Sequence, residues 1–439
     1  MRLRGVSHAT TVILALLALL TLPAARPPAA CAQGADTEVV LGATRQAVQR
    51  LDMLVEPLAV GSGGEQAQRD AWLVESVIRV DLDYSGLFRA RARDELGDSL
   101  RVTYAIEGRL EGRDPGTAVT PQEAAPNLTL RLVAYPGRQL LLEKRYRPTR
   151  DRLRVSAHHF VNQVVQLLTQ EPGICLTRIV FTRGSGTRRD LYAVDYDGEN
   201  LLRLTANRTL NLFPSWSPDG KRIAFMSYRD GQQGIYLLDV TSGRVTLVNE
   251  TPGSNLAPHW HPGGEELLVS LSKDGQHEIY RLSLTGRIIR RLTFSPAIEV
   301  SPDWSPNGWD IVFTSDRTGS PQLYIMDAEG GSRRRLTFTG PYNDSGAWSP
   351  DGERIVYVSR EGNLTRLVLI QADGTDRRPL TDARWRNCEN PRWAPDGRHL
   401  VFASDRTGVF KLYVMDVLDG STRQLTFGAE EDTTPDWSP

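Results

Sequence analysis

From about residue 178 onward, apolar residues alternate with small or polar ones in runs of about six, the period-two signature of pleated strands. Such runs stand at Arg222–Ser227, Asp310–Ser315, 354–359 and His399–Ser404. Each follows a Ser-Pro-Asp-Gly-type turn, in which proline presets φ and glycine takes the left-handed position. The turns belong to a longer unit, Pro-x-Trp-Ser-Pro-Asp-Gly, at 214–220. Degraded copies stand at 258–264, 302–308, 346–352 and 391–397, with a truncated one at 435–439. The tryptophans are Trp216, Trp260, Trp304, Trp348, Trp393 and Trp437, a period of 44 or 45 residues. Twenty residues after its Trp a unit carries Tyr236, Tyr280, Tyr324 or Tyr413. A Leu-Thr pair closes most units, as at Leu292-Thr293 and Leu336-Thr337. Four short strands in such a period make one blade of a β-propeller. The first unit lacks its Pro-x-Trp but keeps 178–182, Tyr192, Asp195 and Leu204-Thr205, while Pro435-Asp-Trp437 has no strands after it. The C-terminal segment is therefore expected to supply the innermost strand of the first blade, closing a six-bladed ring over 172–439 and covering an open sheet edge.

Before residue 172 the period changes. Residues 65–82 place Ala71, Val74, Val77, Ile78, Asp81 and Leu82 on one side of a helix, and Gly86 is a plausible stop. A second helix over 153–168 turns Ala157, Phe160, Val161, Val164 and Leu168 inward. Strands are expected at 53–60, 102–110, 127–135 and Gln139–Tyr146, the last two joined at Pro136-Gly137. This predicts a small α+β domain over 33–171. Residues 1–32 read as a secretory signal: Arg2 and Arg4, an apolar run too short to span a bilayer, and small residues around Ala30-Cys31-Ala32. Acylation at Cys31 is the alternative.

Composition narrows the function. Of 439 residues 40% are hydrophobic and 24% charged, and 52 basic residues face 53 acidic ones. That is globular, and it offers no positive excess to neutralise nucleic-acid phosphates. Three cysteines make no disulfide scaffold, and Cys175 and Cys388 fall at opposite ends of the ring's thickness, too far apart to bridge. A serine hydrolase of the α/β kind needs Gly-x-Ser-x-Gly, which does not occur. His259-x-His261 has a spacing that a metal could use on a strand, but packing is the favoured reading. His158-His159 is read as a solvated helix edge. No metal, cofactor or catalytic set is expected. The slot five residues before each Trp holds Asn211, Asn255, Glu299, Asn343, Cys388 and Asp432. These residues are expected in loops around the channel mouth, either capping turns or forming an acidic-to-neutral binding face. The stretch Thr37, Glu38, Val39, Val40 and Leu41 is short and β-prone, suited to strand addition or to being a free stub.

The domain order, the blade unit, Asp81-Leu-Asp-Tyr-Ser-Gly-Leu-Phe88, Tyr104-Ala-Ile-Glu-Gly108 and Leu176-Thr-Arg-Ile-Val-Phe181 together resemble the TolB family, periplasmic components of the Tol-Pal system. The resemblance covers nearly all of the chain after the signal; residues 113–126 and His261-Pro-Gly-Gly264 depart from it. It implies a non-catalytic, monomeric periplasmic scaffold that supports envelope integrity and constriction at division, and that meets membranes only through partners. The propeller loop face, through Asn255, Ala257, Glu299, Val300 and their counterparts, would dock the outer-membrane peptidoglycan-associated lipoprotein. The N-terminal tail would bind the inner-membrane protein TolA. A propeller lyase or peptidase, and a periplasmic propeller with another ligand, are the rival readings.

Overall fold

The structure, a computed structural model, describes residues 50–96, 102–112 and 125–439. The signal, Cys31 and the 37–41 stretch lie outside the described residues, as does most of 113–126. The first part is a sheet with two helices on one face. Its elements are β1 (Leu51–Val55), β2 (Ala59–Val60), α1 (Gly64–Tyr84), β3 (Phe88–Arg91), β4 (Tyr104–Glu111), β5 (Asn127–Ala134), β6 (Gln139–Tyr146) and α2 (Leu153–Thr169). The sheet order is β3-β1-β4-β5-β6, with β2 also paired to β4. The strand expected at 53–60 is broken. Pro57 has no N–H to give a ladder, and between Val55↔Ile106 and Ala59↔Arg109 the chain spends one residue more than its partner. The short strand β3 carries no alternation long enough to read, and it was not expected.

Six four-stranded antiparallel sheets follow. The inner strands of blades 2 to 6 are Asn211–Trp216, Asn255–Trp260, Glu299–Trp304, Asn343–Trp348 and Cys388–Trp393. The inner strand of blade 1 is Asp432–Trp437, which pairs with Arg178–Ser185 in the register Asp432↔Arg183 and Trp437↔Ile179. The ring is thus closed by hydrogen bonds between distant parts of the chain. All six repeat tryptophans are buried. Each joins apolar side chains of neighbouring blades, as Trp260 does with Ala224 and Leu237.

One repeated bond ends the outer strands. The hydroxyls of Thr205, Thr293, Thr337, Thr381 and Thr426 accept the backbone N–H of Leu191, Ile279, Leu323, Leu367 and Leu412 at 2.9–3.0 Å. The Leu-Thr pair therefore lies just past the outer strand, where a side chain takes over from the ladder.

The helices turn Val74, Ile78, Phe160 and Val164 into an apolar core that they share with Ile179, Val194, Val414 and Trp437 of blades 1 and 6. The sheet-and-helix part is attached at the lower ends of those blades, where third strands finish. There Arg398 donates to the carbonyl of Gly86 (2.6 Å) and pairs with Asp416 (2.6 Å). Gly86 has φ +69°, and a Cβ there would come within 2.4 Å of Asp416 Oδ2.

Candidate functional site

The upper face, where inner strands begin, is turned away from the sheet-and-helix part. Each inner strand opens with the slot residue. The structure makes that residue part of the strand, not of a loop, and its side chain is buried in all six cases. This corrects the expectation that Asn211, Asn255, Glu299, Asn343, Cys388 and Asp432 crown the mouth. The side chains turn sideways: Asn211, Asn255, Asn343 and Asp432 clasp the preceding blade, whereas Glu299 and Cys388 bond within their own. Asn211 Nδ2 donates to the Arg189 carbonyl (2.7 Å), and Asn255 Nδ2 to that of Gln233 (3.0 Å). Asn343 Nδ2 donates to Gln322 Oε1 (2.8 Å). Asp432 is held by Arg183 (2.6 Å) and by the buried Lys411 (3.0 Å), and Glu299 by Arg317 (2.9 Å) and Ser315 (3.0 Å). Burial pushes the Glu299 carboxyl up, against the pull of Arg317. These acids are spent inside the ring, so the acidic binding face expected from them is not there.

What does face the mouth comes two residues later. Phe213, Ala257, Ser301, Ser345, Asn390 and Thr434 all have φ between +46° and +55°. Each sits in a register shift of its strand, such as Leu256/His259 or Val300/Asp303. One extra residue per inner strand makes a β-bulge, which bends the strand and re-aims its side chains. A non-glycine residue in this conformation costs roughly 1–2 kcal/mol, and every inner strand carries one. The bulges wall a cavity of about 280 Å³ whose lining includes Phe213, Leu256, Ala257, Val300 and the prolines Pro214, Pro258, Pro302, Pro391 and Pro435. Ala257 and Val300 thus line the mouth.

Below the walls the channel is crossed by a polar bridge. His259 Nε2 lies 2.7 Å from Asp303 Oδ1, and Arg392 lies 3.8 Å from Asp303 and 3.6 Å from Asp436. Asp303 and Asp436 also accept the backbone N–H of Trp348 (2.8 Å) and Trp216 (2.7 Å), tying blades together. Burial raises the Asp303 carboxyl, but His259 and Arg392 more than offset it and hold it below the ordinary value. Burial wins at Asp436, which is raised. His261 packs edge-on against Trp304 at 4.8 Å, the packing role expected of it.

The rim of this face is aromatic and mixed in charge, because each of its basic turn residues adjoins an acid (Asp230, Asp274, Asp316 or Asp405). Turns between second and third strands carry Arg229, Lys273, Arg317 and Arg406 over the rings of Tyr236 (5.6 Å), Tyr280 (5.4 Å), Tyr324 (4.9 Å) and Trp385 (4.1 Å). Arg360 stacks on Tyr342 at 4.5 Å. Just after three of the Leu-Thr pairs stand Phe294, Phe338 and Phe427, with 67%, 73% and 68% of their surface in solvent. The Leu-Thr-Phe tripeptide was the available signal for them, since an apolar side chain directly after a strand-ending threonine has left the sheet.

A family model described as the TolB beta propeller domain matches residues 165–390, just over half of the chain. The chain belongs to the TolB propeller family. Relatives include the protein TolB homolog of Chlorobaculum tepidum, 33% identical over 192 residues, 43% of this chain and 44% of that protein. The Tol-Pal system protein TolB of Polaromonas naphthalenivorans is 35% identical over 208 residues, 46% of this chain and 48% of that one. The chain spans about half the length of the curated relatives it matches. The crystal structure of TolB from Acinetobacter baumannii superposes with a TM-score of 0.76 at 25% identity, over 90% of this chain and 98% of that one. In this TolB-family chain no helix among the described residues is long and apolar enough to cross a membrane.

Proposed function

We propose that the chain is a non-catalytic periplasmic scaffold of the Tol-Pal system, whose upper propeller face docks the peptidoglycan-associated lipoprotein of the outer membrane. Its N-terminal tail, with Thr37, Glu38, Val39, Val40 and Leu41, would engage TolA of the inner membrane, and the joined system would support envelope integrity and constriction at division. The observation that carries the reading is the upper face itself: an apolar-walled mouth, three exposed phenylalanines and a crown of stacked basic side chains. Aromatic and arginine side chains are the types that concentrate binding energy at interfaces. The channel's polar groups are committed to one another, His259 to Asp303 and Arg392 to Asp303 and Asp436, which favours a rigid lining over a reacting centre. With the slot acids neutralised and each basic rim residue beside an acid, the rim suits a partner surface of mixed charge around an apolar centre.

The test is binding of the mature chain to the soluble domain of a peptidoglycan-associated lipoprotein, followed calorimetrically. A complex is expected. Phe338→Ala and Arg317→Ala should each weaken it about tenfold, the scale of a 1–2 kcal/mol hot-spot loss. Added salt should slow association through the charged rim. A correctly folded chain that gives no heat with this partner removes the reading.

A further inference from the structure

A second polar cluster lies far from the mouth, in the seam between the sheet-and-helix part and blades 1 and 6. Asp81 of α1 is fully buried. His158 of α2, expected at a solvated edge, is buried as well, and its Nδ1 lies 2.8 and 3.0 Å from the two Asp81 oxygens. The Tyr196 hydroxyl, from the turn after the third strand of blade 1, also donates to Asp81. On the other side of the imidazole, Nε2 has no hydrogen-bond partner and lies 3.7 Å from Asp197 Oδ2. Asp197 in turn pairs with Arg154 of α2. Arg423 of blade 6 closes the pocket, stacked over Tyr84 at 4.1 Å and donating to the Tyr196 carbonyl. The Cys175 thiol lies beside Asp81 and Tyr196. One imidazole thus stands between a carboxylate of α1 and a carboxylate of the propeller.

We propose that Asp81 and His158 hold one proton between them, and that this shared proton latches the propeller to the two helices, so that its loss loosens the seam.

Among the described residues no guanidinium touches Asp81: Arg154 is turned to Asp197, and Arg423 lies across Tyr84 and Tyr196. With the proton present, the imidazole ring can donate from Nδ1 to Asp81 and from Nε2 toward Asp197, joining three elements. When the proton leaves to water, Asp81 stays as a buried carboxylate held by the Tyr196 hydroxyl and a neutral ring, and a buried charge that has lost its cationic partner is strongly unfavourable. Burial already raises the Asp81 carboxyl against the pull of His158 and Tyr196. A raised group favours the folded joint at low pH and withdraws that support as pH rises through its value. Tyr196 and Cys175 are both pushed well above their usual values by burial and keep their own protons. Asp81, His158 and Asp197 are close enough to suggest a metal instead. However, Nδ1 is taken by Asp81, and Asp197 by Arg154, which leaves too few free donors for the four that zinc takes.

The experiment is hydrogen exchange on the full mature chain at about pH 6 and about pH 8.5, corrected for the intrinsic pH dependence of amide exchange. Amides of α2 and of residues 195–198 should exchange at least tenfold faster at the higher pH, while those of blades 3 and 4 keep their rates. In Asp81→Asn, where a neutral amide needs no counter-proton, the difference should vanish. Equal corrected rates at both values, or a difference retained in Asp81→Asn, would overturn the proposal. So would stoichiometric zinc in the purified chain, with chelator loosening the seam at pH 6. Should Asp81→Asn not fold, nitrogen chemical shifts of the His158 ring in the unaltered chain decide: a proton lost from the ring between the two pH values supports the latch, and an unchanged ring overturns it.

Discussion

Asp432 shows how far one side chain can be from the role its type suggests. An acid beside a channel mouth reads as a contact for a ligand, yet this one is buried against Lys411, itself 2% exposed, and Arg183. Asp432→Ala should therefore destabilise the ring by about 3–5 kcal/mol, the cost of stranding a buried cation, read as a lower midpoint in urea unfolding. Gly86→Ala should also be costly, by about 1–3 kcal/mol in the same measurement, because its Cβ would meet Asp416 and its φ is +69°. Asp303 carries a pH signature. Its carboxyl is held below the ordinary value of about 4 by His259 and Arg392 in spite of burial. Its stabilising contribution is present above the unfolded value and is lost as pH falls through the lowered one. Urea stability measured from pH 5 down to pH 2.5 should fall more steeply in the native chain than in Asp303→Asn.

At the scale of elements, the period of the tryptophans was enough to count blades, and helical spacing was enough to place α1 and α2 within two residues of their observed ends. Both signals are one-dimensional: a repeat length and a face. What stayed hidden needed the third dimension. The bulge in every inner strand leaves the motif Pro-x-Trp intact and only changes where its neighbours point, so the slot residues looked like mouth residues when Ala257 and its equivalents take that place. His158 looked solvent-facing because the propeller surface that covers it comes from Tyr196 and Asp197, 38 and more positions away in the chain. The strand-ending threonines are the element-scale feature with the plainest consequence. Thr337→Val should leave the buried N–H of Leu323 without its acceptor and cost about 1–3 kcal/mol, measurable by thermal unfolding. The same change at an exposed threonine such as Thr246 should be near neutral.

In the whole molecule the two parts share one apolar core, running from Val74 and Phe160 through Ile179 and Tyr196 to Val414 and Trp437. Such continuity predicts a single cooperative unfolding transition with coincident circular-dichroism and tryptophan-fluorescence curves. Separate transitions would mean that the seam gives way first. The ring's remaining vulnerability is its closure. Arg183 and Asp432 meet across 249 positions of sequence, so Arg178–Ser185 must wait with one edge bare until the five other blades have been made. Contacts of such span form slowly. The bare edge of Arg178–Ser185 therefore persists until Asp432–Trp437 arrives, and only then does the ring fasten. Closure acts as an inspection of the far segment: a copy cut before Asp432 would keep that edge open.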